Sequence, residues 1–100
     1  MLLNGEGTTK TAAVTSAQWE VSKSGAASLS VYNTGANDVW VLANCTTAEF
    51  DVLYAAGKAI RVRSGLQYNF NGSAPLGGQN IKSVCYQTAA STSEIDMAAL

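Results

Sequence analysis

The sequence has no histidine, one proline, two cysteines and a charged fraction of 13%. Without histidine there is no Ser-His-Asp triad, no Cys-His pair and no imidazole-ligated metal. Cys45 and Cys85 are too far apart in the chain to form a CxxC clamp. Two readings are open for them: one disulfide, if the fold brings their Cβ atoms within about 4 Å, or two small buried apolar side chains. The charged share is about half that of an average domain. Six basic and seven acidic residues give a net charge of −1, and the basic ones (Lys10, Lys23, Lys58, Arg61, Arg63 and Lys82) are scattered. No nucleic-acid footprint results, so nucleic acid is not an expected partner. No apolar run approaches the roughly 20 residues that span a bilayer, so no membrane partner is expected either. The start, Met1-Leu2-Leu3-Asn4-Gly5-Glu6, lacks the basic region and apolar stretch of a secretory leader.

What is present fits one small domain. The chain has 100 residues and is 47% hydrophobic, enough to build a core. Ser, Thr, Asn, Gln, Gly and Ala take the place of charge. Residues 1–17 have few large apolar groups to offset the entropy of ordering, and read as an extended N-terminal arm. Residues 18–100 read as a single β-sandwich domain.

Strand patterning is strongest at 28–43. Leu29 and Val31 alternate with Ser28, Ser30 and Tyr32, and Val39 and Val41 alternate with Trp40 and Leu42. Asn33-Thr34-Gly35-Ala36-Asn37-Asp38 between them is turn chemistry, with Gly35 suited to positive φ, so a hairpin is expected. Tyr32 and Trp40 would then form an aromatic stripe on its second face. A short helix follows at about 47–56. Thr46 and Glu49 have capping-box spacing, Cys45 and Phe50 staple spacing, and Gly57 is a stop. Phe50, Leu53 and Tyr54 recur at helical period, and Val52 extends the apolar side.

Beyond the helix, Ile60 and Val62 face inward and Arg61 and Arg63 outward. Leu66, Tyr68 and Phe70 form one face of the next strand. Asn71-Gly72 suits a tight turn, and the stretch through Pro75 to Gly77-Gly78 reads as a loop; no P-loop lysine follows. Residues 81–88 are apolar on both faces, as in an interior strand. Residues 94–97 read as a final edge strand with Ile95 and Met97 inward, and Ala98-Ala99-Leu100 as a fraying end. The expected fold class is mainly β: a small antiparallel β-sandwich or open barrel with one short helix inserted.

Three stretches carry a resemblance. The run Leu29-Ser30-Val31-Tyr32-Asn33-Thr34-Gly35-Ala36-Asn37-Asp38-Val39-Trp40-Val41 resembles small tailed-bacteriophage virion proteins, with a strand, an Asn-x-Gly-x-Asn turn and an aromatic-bearing strand. Residues 59–70 resemble their apolar strand, small-residue turn and aromatic strand. Residues 81–95 resemble their terminal hairpin. The resemblance implies a structural virion protein without catalytic activity, most of all a capsid decoration (cement) protein that binds and stabilises the assembled phage shell. Its partners would be the major capsid protein or other virion proteins, in a homo-oligomer on the capsid surface, assembled in the host cytoplasm. Tail, neck or fibre pieces belong to the same group. The family offers no shared site motif, so no catalytic, cofactor-binding or metal residue is expected.

A different class is a carbohydrate- or receptor-binding β-sandwich module, using the Asn-rich turn at 33–38, the 71–80 loop and exposed Tyr or Trp. An enzyme is not expected, because no nucleophile is paired with a base. Glu49 and Asp51 suit the helix N-terminus, and Asp38 suits the turn.

Overall fold

The computed structural model describes residues 6–21, 25–71 and 80–100. Among these, eight strands and one helix run in the order β1 (Glu6–Ala12), β2 (Ala17–Glu20), β3 (Ser28–Asn33), β4 (Val39–Ala43), α1 (Thr47–Ala55), β5 (Ile60–Val62), β6 (Gln67–Asn71), β7 (Ser83–Thr88) and β8 (Ser93–Ala99). They form two four-stranded antiparallel sheets, β1-β8-β3-β6 and β2-β7-β4-β5. The chain crosses between the sheets at almost every connection. This is the eight-stranded jelly-roll, or double-stranded β-helix, arrangement of a β-sandwich. The sandwich is the expected fold class.

The core lies between the sheets and is built by alternation. Leu29 and Val31 of β3, Val39 and Val41 of β4, Val84 and Tyr86 of β7, and Ile95 and Met97 of β8 are all buried. Together with Val62, Phe70 and Ile81 they make one cluster. At roughly 25 cal/mol per Å² of apolar surface, this burial is the main force holding the sheets face to face.

Four expectations are corrected by the pairing. First, residues 6–12 of the expected arm are extended, but they form β1, paired along its length with β8 of the same chain from Glu6↔Ala99 to Ala12↔Ser93. Second, β3 and β4 are not a hairpin, because each belongs to a different sheet. The same holds for the pairs β5, β6 and β7, β8, so the expected terminal hairpin is also a crossing. Third, β8 is an interior strand between β1 and β3, and Leu100 is held there by Ala27 N–H donating to its carbonyl at 2.9 Å and its own N–H donating to Ser28 at 3.0 Å. Fourth, Tyr32 and Trp40 lie in opposite sheets and form no common stripe.

The crossing after β3 has a specific cause. Asn33 is fully buried, and its side chain is saturated. Its Nδ2 donates to the carbonyls of Asn37 (2.7 Å) and Val62 (2.9 Å). Its Oδ1 accepts from Gly35 N–H (3.1 Å) and Ser93 Oγ (2.8 Å). One amide therefore ties the connection to β5 of one sheet and β8 of the other. Gly35 is not at positive φ, contrary to the sequence expectation. A Cβ there would lie 2.1 Å from Ser93 Oγ and 2.5 Å from Glu94 N, so glycine is needed for close approach.

Helix α1 forms as its end signals specify. Thr46 Oγ1 accepts from Glu49 N–H (3.1 Å), and Glu49 Oε1 accepts from Thr46 N–H (2.8 Å). At the other end Gly57 has φ 75°, Gly57 N–H donates to Tyr54 (3.0 Å) and Lys58 N–H to Leu53 (2.8 Å), a Schellman stop. Nine residues are too few for a stable isolated helix, so α1 depends on docking. Phe50 is its one fully buried side chain, whereas Val52 is 70% exposed and adds nothing to the packed side. Asn71 ends β6; the expected Gly72 turn and the Gly77-Gly78 loop lie outside the described residues.

Candidate functional site

The two sheets differ on their outer sides. The outer side of β2-β7-β4-β5 is furnished by α1. Trp40 meets Tyr54 edge-on at 5.6 Å between ring centres, and Phe50 stacks with Tyr54 at 5.9 Å. Arg61 lies 5.5 Å over the Trp40 ring and is held by Asp38, which accepts from its Nε at 2.8 Å and also from its Nη2. This bond keeps the Asp38 carboxyl below its ordinary value, against a smaller opposing effect of desolvation. The Arg61 face expected from sequence is therefore an ion-paired cap on an aromatic cluster. Arg63 is exposed beyond the end of β5.

Beside the helix start lies an open polar groove of about 680 Å³, lined in part by Gln18, Asn44, Cys45, Glu49 and Lys82. Its shape is set by Asn44, a non-glycine residue at φ 60°. The Asn44 side chain donates to the Asn80 carbonyl (2.9 Å) and accepts from Lys82 N–H (2.7 Å). The chain turns sharply there, and the Cys45 carbonyl accepts from both Gln18 Nε2 (2.9 Å) and Cys85 Sγ (3.1 Å). Both cysteines are free thiols, Cys85 buried and Cys45 partly exposed. Burial pushes the Cys85 thiol up to about 12 and raises that of Cys45.

The outer side of β1-β8-β3-β6 carries no helix among the described residues. Strand register aligns its side chains in rows. Gly7, Ala98, Ser30 and Asn69 form one row, and Thr9, Asp96, Tyr32 and Gln67 the next. Thr9 Oγ1 donates to Asp96 at 2.7 Å, and Gln67 Nε2 to Asn69 at 2.8 Å. The result is a surface of mostly small and amide side chains with one aromatic group, Tyr32, 46% exposed. The β1 edge of this sheet is different. Thr8 and Lys10 occupy its core-facing positions opposite Met97 and Ile95, and an inward charge on an edge strand discourages further strand pairing.

Among the described residues, Asn33, Asn37 and Trp40 of the set suggested for glycan recognition are engaged within the fold. Asn33 is buried and saturated, Asn37 Nδ2 donates to the Thr92 carbonyl at 2.8 Å, and Trp40 packs against Tyr54. Of the 71–80 loop, Asn71 and Asn80 are described and 72–79 are not. Glu49 serves the cap. Asp38, read as a turn residue, is an ion-pair partner that also accepts from Ser64 N–H at 3.3 Å. Sequence reasoning missed the structural part played by Asn44; its signal was a lone Asn directly after a strand, the residue type that tolerates the left-handed region best after glycine.

Comparison with solved structures supports the fold assignment. A Bacillus endospore appendage, described as one of a family of disulfide-linked pili, aligns over 95% of this chain and 81% of its own, with TM-score 0.51 and 22% identity. A de novo designed double-stranded β-helix aligns over 97% of both chains, with TM-score 0.52 and 11% identity. The SPBc2 prophage-derived protein YomS aligns over 99% of this chain and 96% of its own, with TM-score 0.52 and 10% identity. At these identities the likeness is one of fold. No family model and no curated protein sequence matches the chain.

Proposed function

We propose that the chain is a structural, non-enzymatic component of a bacteriophage virion. Within that role we propose a capsid decoration protein that docks on the major capsid protein at the outer surface of the assembled shell. The observation that carries this reading is the outer side of β1-β8-β3-β6, which no helix covers among the described residues, with its rows Gly7-Ala98-Ser30-Asn69 and Thr9-Asp96-Tyr32-Gln67. Small side chains let another protein surface approach closely, Tyr32 supplies a rigid anchor, and few charges have to be desolvated. The fold likeness to a prophage-derived protein and to a pilus subunit agrees with a structural role. A cement acts by binding the assembled lattice better than free subunits. At a ligand concentration 100 times the Kd, each site gains about 2.7 kcal/mol, multiplied over many copies. Association of copies into a homo-oligomer on the shell would add to this. The same surface would serve a tail, neck or fibre position, which copy number distinguishes.

The test is co-sedimentation with assembled particles, comparing wild type with Ala98→Arg. Ala98 is exposed in the first row, so the fold should tolerate the change within about 0.5 kcal/mol. Retention should fall at least tenfold while the melting curve stays put. Equal retention of the variant would remove this surface from the proposal, and turnover of a substrate by the isolated chain would overturn the role itself.

A further inference from the structure

We propose that Cys45 and Cys85 are a modification site: an oxidisable thiol pair that closes an intrachain disulfide and staples the start of α1 to β7. Three geometric features carry the proposal. The ladder between β4 and β7 runs through Leu42↔Cys85 and Ala43↔Val84 and is extended by Asn44 N–H donating to Ser83 at 2.9 Å. Asn44, at φ 60° and clamped by both side-chain hydrogen bonds to the 80–82 segment, then reverses the chain. Cys45 is thereby returned onto Cys85, whose Sγ points at the Cys45 carbonyl at 3.1 Å. Cys85 lies on the outer side of its sheet, in the opposite alternation from Val84 and Tyr86, and is shut off from solvent. Cys45 lines the open groove and is the thiol that a small oxidant reaches first.

The chemistry balances with a hydroperoxide as oxidant. The Cys45 thiol takes one oxygen atom from hydrogen peroxide, which leaves as water, and becomes a sulfenic acid. The Cys85 sulfur then attacks the Cys45 sulfur. The hydroxyl leaves with the Cys85 proton as a second water, and the S–S bond forms. Two thiols are oxidised and one peroxide is reduced. Both thiols are weakly acidic at this site, which lowers the thiolate fraction and slows the reaction. Once closed, the bond encloses α1, β5 and β6 in one covalent loop.

The experiment treats the full chain with hydrogen peroxide and follows intact mass, reactivity towards iodoacetamide and thermal melting. The expected product is a monomer lighter by two hydrogens, with both cysteines protected from alkylation and a Tm raised on the order of 10 °C, reversed by dithiothreitol. Cys45→Ser, at the partly exposed position, should melt like the reduced wild type and gain nothing on oxidation. Continued alkylation of both thiols after treatment would overturn the proposal. So would covalent dimers in place of the lighter monomer, since these would assign the cysteines to a contact between chains.

Discussion

The connections on either side of β4 are built in opposite ways. The β3–β4 connection is five residues long, contains Gly35, Asn37 and Asp38, and is flanked by two alternating strands. Every local feature says hairpin, yet the flanking strands belong to different sheets. The β4–β5 connection is long and contains a helix, which locally suggests a departure from the sheet. Yet β4 and β5 pair antiparallel, with Val39↔Val62, Trp40↔Arg61 and Val41↔Ile60 in register. A connection's length and turn chemistry say that the chain reverses. They do not say which strand it returns to. In the first connection the decision belongs to one buried amide and one missing Cβ; in the second, the helix has capped ends and fills the outside of the sheet while the strands find each other.

The sharpest way to break the first connection is Asn33→Ala. It removes the buried partner of the Val62 carbonyl and the Ser93 hydroxyl and the part-buried partner of the Asn37 carbonyl, and leaves the Gly35 N–H with the Glu94 carbonyl alone. A loss of about 4 kcal/mol in denaturant unfolding is expected, a large fraction of the stability of a domain this size. A matched pair of glycine substitutions then separates the two connections. Gly35→Ala drives a methyl group into Glu94 backbone and Ser93, and should cost about 2–4 kcal/mol. Gly57→Ala, at φ 75° in open space, strains only its own backbone and should cost about 1 kcal/mol. Equal costs would mean that the first connection is not a tight crossing.

The smallest effect belongs to the Asp38–Arg61 ion pair, which joins the β3–β4 connection to β5 at the surface. Arg61 lowers the folded-state pKa of Asp38 below the ordinary value of 3.8. The stabilisation is therefore present above pH 3.8 and fades as pH falls through the lowered folded value. The Tm difference between wild type and Arg61→Ala should shrink over that range, and a difference independent of acid pH would show that Arg61 acts through its packing on Trp40 alone.

Much of the fold was legible locally. The inward residues of β3, β4 and β8 follow from period-two alternation, and the α1 ends follow from Thr46, Glu49 and Gly57, because these depend on neighbours within a few residues. The sheet partners were not legible. Val31 pairs with Met97 and Tyr68, and Ser30 with Ala98 and Asn69, far along the chain. The interior position of β8 is not legible, because Glu94-Ile95-Asp96-Met97 alternates polar and apolar as an edge strand does, and an interior strand with one open face shows the same pattern. The candidate surface was hidden for the same reason: its rows combine single residues from four strands.

The sequence by itself determined that this chain is a mainly β sandwich, where its capped helix starts and stops, and which side of most strands faces the core. These properties arise from the pleat, from the helical period and from short-range hydrogen bonds. Tertiary structure decided which strands are neighbours, that residues 6–12 belong to the body of the sheet, that Asn33 is a buried tie between two sheets, and that Cys45 meets Cys85. Each of those requires groups distant in the chain to compete for the same small volume, and only packing and the saturation of buried polar atoms settle such a competition.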